Sequence, residues 1–453
     1  MTAAEDFPYR WAATGRGSRG APRSALPVAE HSVVFVRSAD GRDPHGDLWA
    51  LDLVTGAESL LVAAAELAAD DSDLPAAERA RRERLREGGA GITAFSVDPA
   101  GEVACFALGG RLYAVDLPAA LAGAAAVREL AVPGPVVDPV AGPGGIAWHA
   151  QGRVWCAEAD GSAVRALTPD DGAQWGLADF IAAEELERMR GLWWAPDGAA
   201  LLVTRVDDAD VPCWWISDPS RPQSPAREHR YPAAGATNAT VSLWLVPLAG
   251  EVREVLRVGP ATADPDRPAA GHGFEYLAQV SWRDGDALAQ LLTRDQRSTS
   301  VLAIDAGGTP REVANWSDDC WVDVLAGLPR WHRDGRLLTL RRDRAADRLR
   351  LFADEEPISP PQLQLRSVLG ATADGIVVRA AVAPATSDLL LLTAEGPTTL
   401  VTDGWYNGTL HHDQLVLTGA QSLPGSQPAW RTSVHRITRT GLAQGTALAS
   451  RAE

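Results

Sequence analysis

A short unit recurs along this chain: an aromatic residue opens a strand-like apolar run, an Asp/Gly turn follows, and a second run returns. It stands in FSVDPAGEVACFALGGRLYAVDL from Phe95, WHAQGRVWCAEADG from Trp148, WAPDGAALLVTRVD from Trp194, WRDGDALAQLLTRD from Trp282 and WHRDGRLLTLRRD from Trp331. Gly suits such turns because it reaches positive φ, and Asp because it bonds its own backbone nearby. The units lie roughly 45 to 60 residues apart, with one gap near twice that, and a period of this size marks propeller blades or similar arrays. Four short antiparallel strands fit in one period. A four-stranded sheet has two faces to cover, and a ring of sheets packed face to face covers both while leaving only short edges. The expected fold is therefore all-β: a β-propeller of seven to eight four-stranded blades over residues 31–450, entered through an N-terminal segment at 1–30.

Two stretches break the strand pattern. DSDLPAAERARRERLRE carries a helix-start signal, Asp73 before Leu74 and Pro75, an i,i+4 pair of Glu78 and Arg82, and the stop Gly88-Gly89. It predicts a helical excursion near 74–87. DFIAAEELERMR, with Phe180, Ile181, Leu186 and Met189 at mixed helical spacing, predicts a second over 179–190, directly before Trp193 and Trp194.

The net charge of −17 argues against a nucleic-acid partner, which needs clustered Lys and Arg, and makes a cationic ligand the easier guest. The opening MTAAEDFPYRW is not a basic segment followed by an apolar one, and no stretch approaches the roughly 20 apolar residues that span a bilayer. A cytoplasmic protein without a membrane partner is expected. Cys105, Cys156, Cys213 and Cys320 are far apart and form no CxxC or Cys/His cluster, so they read as buried free thiols, with no metal and no cofactor expected.

Three ordered blocks carry a resemblance: DFIAAEELERMRGLWWAPDG, then LLVTRVDDADVP, then HRYPAAGATNATVSLWLV. Their double Glu, paired Trp before an Asp-Gly turn, and Tyr-Pro-x-x-Gly-x-x-Asn segment resemble the propeller of the dipeptidyl peptidase IV family, serine peptidases of the prolyl oligopeptidase superfamily. Looser similarity runs from RRERLREGGAGITAFS to TDGWYNGTLHHDQLVLTG, covering essentially the whole chain. The resemblance implies that Glu184 and Glu185 hold the free α-ammonium of a peptide. It also implies that an Arg of the first excursion contacts the peptide carbonyls; counting back from Gly91-Ile92-Thr93 gives Arg86, with Arg84 the alternate. Two adjacent carboxylates repel, so an ammonium that pairs with both gains more than one surface bridge gives. The plainer reading of the two Glu residues is a solvated face balanced by Arg188 and Arg190.

The family places an α/β-hydrolase domain after its propeller, with a G-x-S-x-G elbow followed by Asp and His. No G-x-S-x-G occurs in this sequence, and His411-His412-Asp413 reads as a blade strand and not as part of a triad. The expectation is a propeller domain, inactive alone, that gates peptides with a free N-terminus for a hydrolase domain absent from this chain, in a protein that homodimerises at full length. The alternatives are a stand-alone propeller that binds peptides or proteins, and a propeller enzyme such as a glycosidase; the latter needs a positioned carboxylate pair, whereas the Asp residues here sit mostly in turns.

Overall fold

The computed structural model describes residues 3–67, 74–84, 87–260, 271, 273–283, 285–325, 327–421 and 430–451. Apart from one two-stranded hairpin, the strands form eight sheets of four or five strands, antiparallel but for Ala90–Gly91, which pairs in parallel with His45–Asp52 of the first. In chain order these are blades 1 (23–62), 2 (96–130), 3 (137–166), 4 (174–258), 5 (276–317), 6 (330–357), 7 (364–401) and 8 (404–448). The sequence unit marks the first two strands of blades 2, 4, 5 and 6, and in blade 3 the second and third, where Trp148 lies in Gly145–Ala150. At its turns Asp98 accepts the backbone N–H of Glu102 (2.8 Å) and Val103 (2.7 Å), and Gly101 takes φ +73°, a conformation that disfavours any side chain. The doubled gap between Trp194 and Trp282 is the length of blade 4, which holds the extra hairpin Cys213–Ile216/Arg227–Arg230 between its strands Ala200–Asp207 and Thr240–Pro247.

There is no single core. Alternate side chains of a strand point to opposite faces, and here both faces are buried: Val34 and Val36 pack towards blade 2, while Val33 and Phe35 pack towards blade 8. Strands such as Ser32–Ser38 and Asp388–Thr393 therefore read as continuous apolar runs. Each pair of neighbouring blades encloses its own apolar cluster, the blade 8 to blade 1 pair included, where Ala25, Phe35, Val416, Val434 and Leu448 meet. Across that same junction the buried Arg37 pairs with Glu58 at 2.8 Å and donates to the Ala449 carbonyl at 2.7 Å.

First strands of neighbouring blades touch near the axis, and fourth strands are the exposed rims. Because strands alternate in direction, the start of the first strand, the end of the second and the start of the third share one pole of the ring. The interruption in the first strand of blade 4 and the projecting hairpin of that blade both leave from that pole. Helix α1 (Ala3–Ala13) precedes the ring, and α3 (Leu117–Leu121) lies within blade 2; α2 (Ala76–Arg84) follows the last strand of blade 1, and α4 (Phe180–Glu185) interrupts the first strand of blade 4.

Two expectations need correction. The second helix ends at Glu185 and does not reach 190, because Glu187 takes a left-handed φ of 55° and Arg188 turns inward to polar partners in blade 5 and at Asp179. Cys105 and Cys156 are buried thiols, but Cys213 and Cys320 are exposed, the first on the projecting hairpin and the second on the loop leaving blade 5. Asp73 lies outside the described residues.

Candidate functional site

The first strand of blade 4 comes in two pieces, Gln174–Trp175 and Leu192–Trp194, both paired with Ala200–Asp207. Trp175 faces Arg205 and Leu192 faces Val203, so residues 176–191 leave and re-enter opposite Thr204 alone. Gly176 donates to the Thr204 carbonyl and Thr204 to the Gly191 carbonyl, each at 2.8 Å. The neck is too narrow for side chains: Gly176 has φ +79°, and a Cβ on Gly191 would stand 2.4 Å from Thr204 Oγ1 and 2.5 Å from the Gly176 carbonyl carbon.

Helix α4 is short and is held by what surrounds it. Asp179 caps it by accepting the Ala182 N–H at 3.1 Å. The other carboxylate oxygen of Asp179 takes Arg188 Nη2 at 2.6 Å; Arg188 Nε donates to the Leu277 carbonyl of blade 5 at 3.0 Å and Nη1 to the Arg190 carbonyl at 2.9 Å. Burial pulls the Arg188 pKa below the usual Arg range, and Asp179 opposes that pull. Gln279 satisfies the carbonyl of Leu186 at 2.7 Å, and Leu186 and Ile181 pack on Ala278, Leu292 and Val322. An insertion from blade 4 is thus bolted to the innermost strand of blade 5.

Glu184 and Glu185 form the last turn of α4, and both are exposed. That is a poor place for carboxylates. The final carbonyls of a helix carry partial negative charge that favours cations, yet the last turn holds no basic residue of its own. Arg188 and Arg190 do not balance the pair: Arg188 is turned to Asp179, and Arg190 Nε lies 3.8 Å from Asp138. The balancing cation of Glu184 comes instead from α2, whose Arg84 Nε donates to Glu184 Oε1 at 2.9 Å while its guanidinium lies 5.4 Å from the Phe180 ring centre. Among the described residues Glu185 has neither an ion pair nor a side-chain hydrogen bond. Arg86 lies outside the described residues.

In α2 the expected Glu78–Arg82 pair is present at 2.8 Å, and Arg81 adds a second contact at 2.7 Å. Burial pushes the Glu78 carboxyl up, but Arg81 and then Arg82 outweigh it and hold it below the usual range. Between α2 and α4 is a cavity of about 260 Å³ lined by Ala77, Ala80, Arg84, Phe180, Ala183 and Arg230. Its aromatic wall extends outward: Tyr231 meets Phe180 edge-on at 5.3 Å and Trp214 at 5.0 Å. The Tyr-Pro-x-x-Gly-x-x-Asn segment gets this placement from Asn238, which donates to Glu275 Oε1 at 2.9 Å, and Arg294, which holds Glu275 at 2.7 Å and the Ala236 carbonyl at 2.7 Å. Trp214 was not singled out by sequence reasoning; its signal is the apolar run Cys-Trp-Trp-Ile, in a strand whose residues are all exposed.

His411 closes the strand Gly404–His411 and His412 occupies the hairpin turn with φ 52°. Among the described residues no group of three or more His, Cys, Asp or Glu is placed to hold a metal, and no helix is long and apolar enough to cross a membrane.

An eight-bladed ring with a double-Glu helix inserted in blade 4 defines a class of propeller, and comparison with known proteins gives its family. Residues 112–365, more than half of the chain, match the model of the dipeptidyl peptidase IV (DPP IV) N-terminal region. The chain belongs to that family. It is 28% identical over 165 residues to inactive dipeptidyl peptidase 10 of Rattus norvegicus, and 29% identical over 165 residues to a probable dipeptidyl peptidase 4 of Aspergillus fumigatus. These alignments take in 35% and 34% of this chain but only 20% of each relative. The crystal structure of Porphyromonas gingivalis dipeptidyl peptidase 4 superposes with a TM-score of 0.71 over 96% of this chain and 60% of that one, at 17% identity, a likeness of fold.

Proposed function

We propose that this chain is the substrate-gating propeller of a cytoplasmic serine exopeptidase that removes N-terminal Xaa-Pro or Xaa-Ala dipeptides, and that Glu184 and Glu185 anchor the free amine of its substrate. The observation that carries this reading is the pair itself: two adjacent exposed carboxylates at the C-terminal end of a short helix, where they cost stability, on an insertion whose neck, cap and clamp hold it rigid. A bound ammonium supplies the cation that Glu185 lacks and shares Glu184 with Arg84. Arg84, or Arg86 two residues on, then orients the carbonyls of the same peptide, and positioning of this kind is what the propeller contributes to catalysis. Bond cleavage belongs to a hydrolase domain with its own Ser, Asp and His, and the full-length protein homodimerises. Homology alone does not decide activity, since the relatives include one named inactive and one named a peptidase.

The experiment compares a free Xaa-Pro peptide with its N-acetylated twin by calorimetry. The free peptide binds, with a dissociation constant near 1 mM, about −4 kcal/mol, if the ring alone forms one wall of the chamber; the acetylated peptide does not. Equal binding of both, or binding unaltered by Glu184→Gln with Glu185→Gln, refutes the anchor and leaves a propeller that serves as a protein-interaction scaffold.

A further inference from the structure

Buried arginines in this ring come with carboxylates. Arg37 has Glu58, Arg82 has Glu78, Arg188 has Asp179 and Arg350 has Asp343. The half-buried Arg366 and Arg379 of blade 7 have none: among the described residues neither makes an ion pair or a side-chain hydrogen bond, although the Nε of each is enclosed. They are neighbours. The first strand of blade 7, Gln364–Ala371, bulges between Leu365 and Ser367 against Ile376–Ala381, so that Arg366 is the extra residue and Arg379 faces Ser367. Bulges re-aim side chains and are frequent beside functional sites. The hydroxyl of Ser367 is a third buried polar atom at this spot without a partner. Arg366 also lies 5.6 Å from the ring centre of Trp405, which is 44% exposed, so its guanidinium has an aromatic support that limits where it points.

Two like charges side by side with unpaired donors do not stabilise a fold; each such group calls for an explanation, and a bound anion is one. Burial, followed by repulsion from Arg366, lowers the Arg379 pKa, and the acid whose field opposes this is Glu187, two residues beyond the Glu184–Glu185 pair. The start of the first strand and the end of the second place Arg366 and Arg379 at the same pole as α4.

We propose that Arg366 and Arg379, with the Ser367 hydroxyl, bind a carboxylate, so that a peptide seated by its amine on Glu184 and Glu185 is read a second time through an acidic group. The peptide in this statement rests on the function proposed above; the carboxylate site does not. Guanidinium forks match a carboxylate with paired hydrogen bonds. The carboxylate is either the C-terminus of a short peptide or an acidic side chain of a longer one.

The test is calorimetric titration of peptides Ala-Pro-(Ala)n with n from one to four, each as the free acid, as the C-terminal amide, and as an amide ending in Glu. At one or more lengths an acidic form binds about tenfold to a hundredfold more tightly than the neutral amide, the range for a charge-assisted hydrogen bond. Which acidic form gains identifies the source of the carboxylate. The preference disappears in Arg366→Met with Arg379→Met and is partly kept in Arg379→Lys. Because the double substitution relieves repulsion, its thermal midpoint holds or rises. No preference at any length, a preference that survives the double substitution, or a midpoint several degrees lower, which marks the pair as structural, overturns the proposal. N-terminal acetylation separates the two readings: affinities unchanged by acetylation with the carboxylate preference kept sink the amine anchor and support this site, and amine dependence without a carboxylate preference does the reverse.

Discussion

Arg188→Met tests whether α4 is held by its buried clamp. The substitution keeps most of the side-chain volume but strands the buried Asp179 carboxylate and frees the Leu277 and Arg190 carbonyls, which now sit 2.6, 3.0 and 2.9 Å from guanidinium nitrogens. Removing one partner of a buried pair costs about 3–5 kcal/mol. For a chain of 453 residues the entropy of unfolding is about 1 kcal/mol per kelvin, so the thermal midpoint falls by about 3–5 °C if ring and insertion unfold together. If the insertion opens alone, the loss appears instead as exchange about two to four orders of magnitude faster at the amides of Ala183 and Leu186, which donate to Asp179 and Ala182. Either result is accompanied by loss of peptide binding. The control is Arg188→Met with Asp179→Asn, which keeps an N-cap and removes the stranded charge, and recovers most of the loss. If midpoint and exchange both stay at wild-type values, or the double variant is no better than the single, the clamp argument is wrong.

Gly191→Ala destabilises by about 1–3 kcal/mol in urea denaturation, because its methyl meets Thr204 Oγ1 and the Gly176 backbone at the neck; Gly172→Ala, with open space around it, shows strain from its φ of +81° but no clash. His149 is buried with Nδ1 2.7 Å from the Trp175 carbonyl, and burial lowers its pKa. A lowered histidine pKa favours the neutral ring in the fold, so stability is constant at high pH and declines as pH falls through the unfolded value of about 6.5; His149→Gln flattens the urea midpoint between pH 5 and 8. Of the four thiols, Cys105 and Cys156 are pushed up to about 12 and about 11 by burial, so a disulfide reagent titrates two thiols in the native protein. Cys320 reacts before Cys213, whose thiol donates to Glu228 at 3.0 Å and is raised by that bond.

The ring was legible because its signal is local and repeated. An aromatic, a turn and a return strand announce blades 2 to 6, and the period allowed for the others. Blades 1 and 7 have no such opening aromatic, which is why the count stayed between seven and eight; blade 8 announces itself only through Trp405. Helix α4 was visible in outline, but its end was not, since Arg188 abandons the helix for a carbonyl in another blade, and spacing within one segment carries no record of that partner. The same holds for Glu184. Its neighbour in sequence, Arg188, was the natural counter-ion, whereas the actual one, Arg84, is 100 residues away. The unpaired Arg366 and Arg379 were invisible for the converse reason: what marks them is the lack of a partner, which only the folded chain can reveal.

Because the sheet of each blade packs on the sheets of its two neighbours, and blade 8 packs on blade 1, the eight sheets form a cycle of eight joints. In an open row of repeats, damage to one contact lets everything beyond it fray. In a cycle a blade is released only when the joints on both sides of it fail, so one weakened joint turns the ring into an arc that still holds all its members. Substitutions within a single joint are therefore buffered, and two in adjacent joints compound. Among the described residues the joint between blades 5 and 6, with Leu288, Val301, Ala303 and Leu337 fully enclosed, has the least reserve, and it borders the blade on which α4 is mounted.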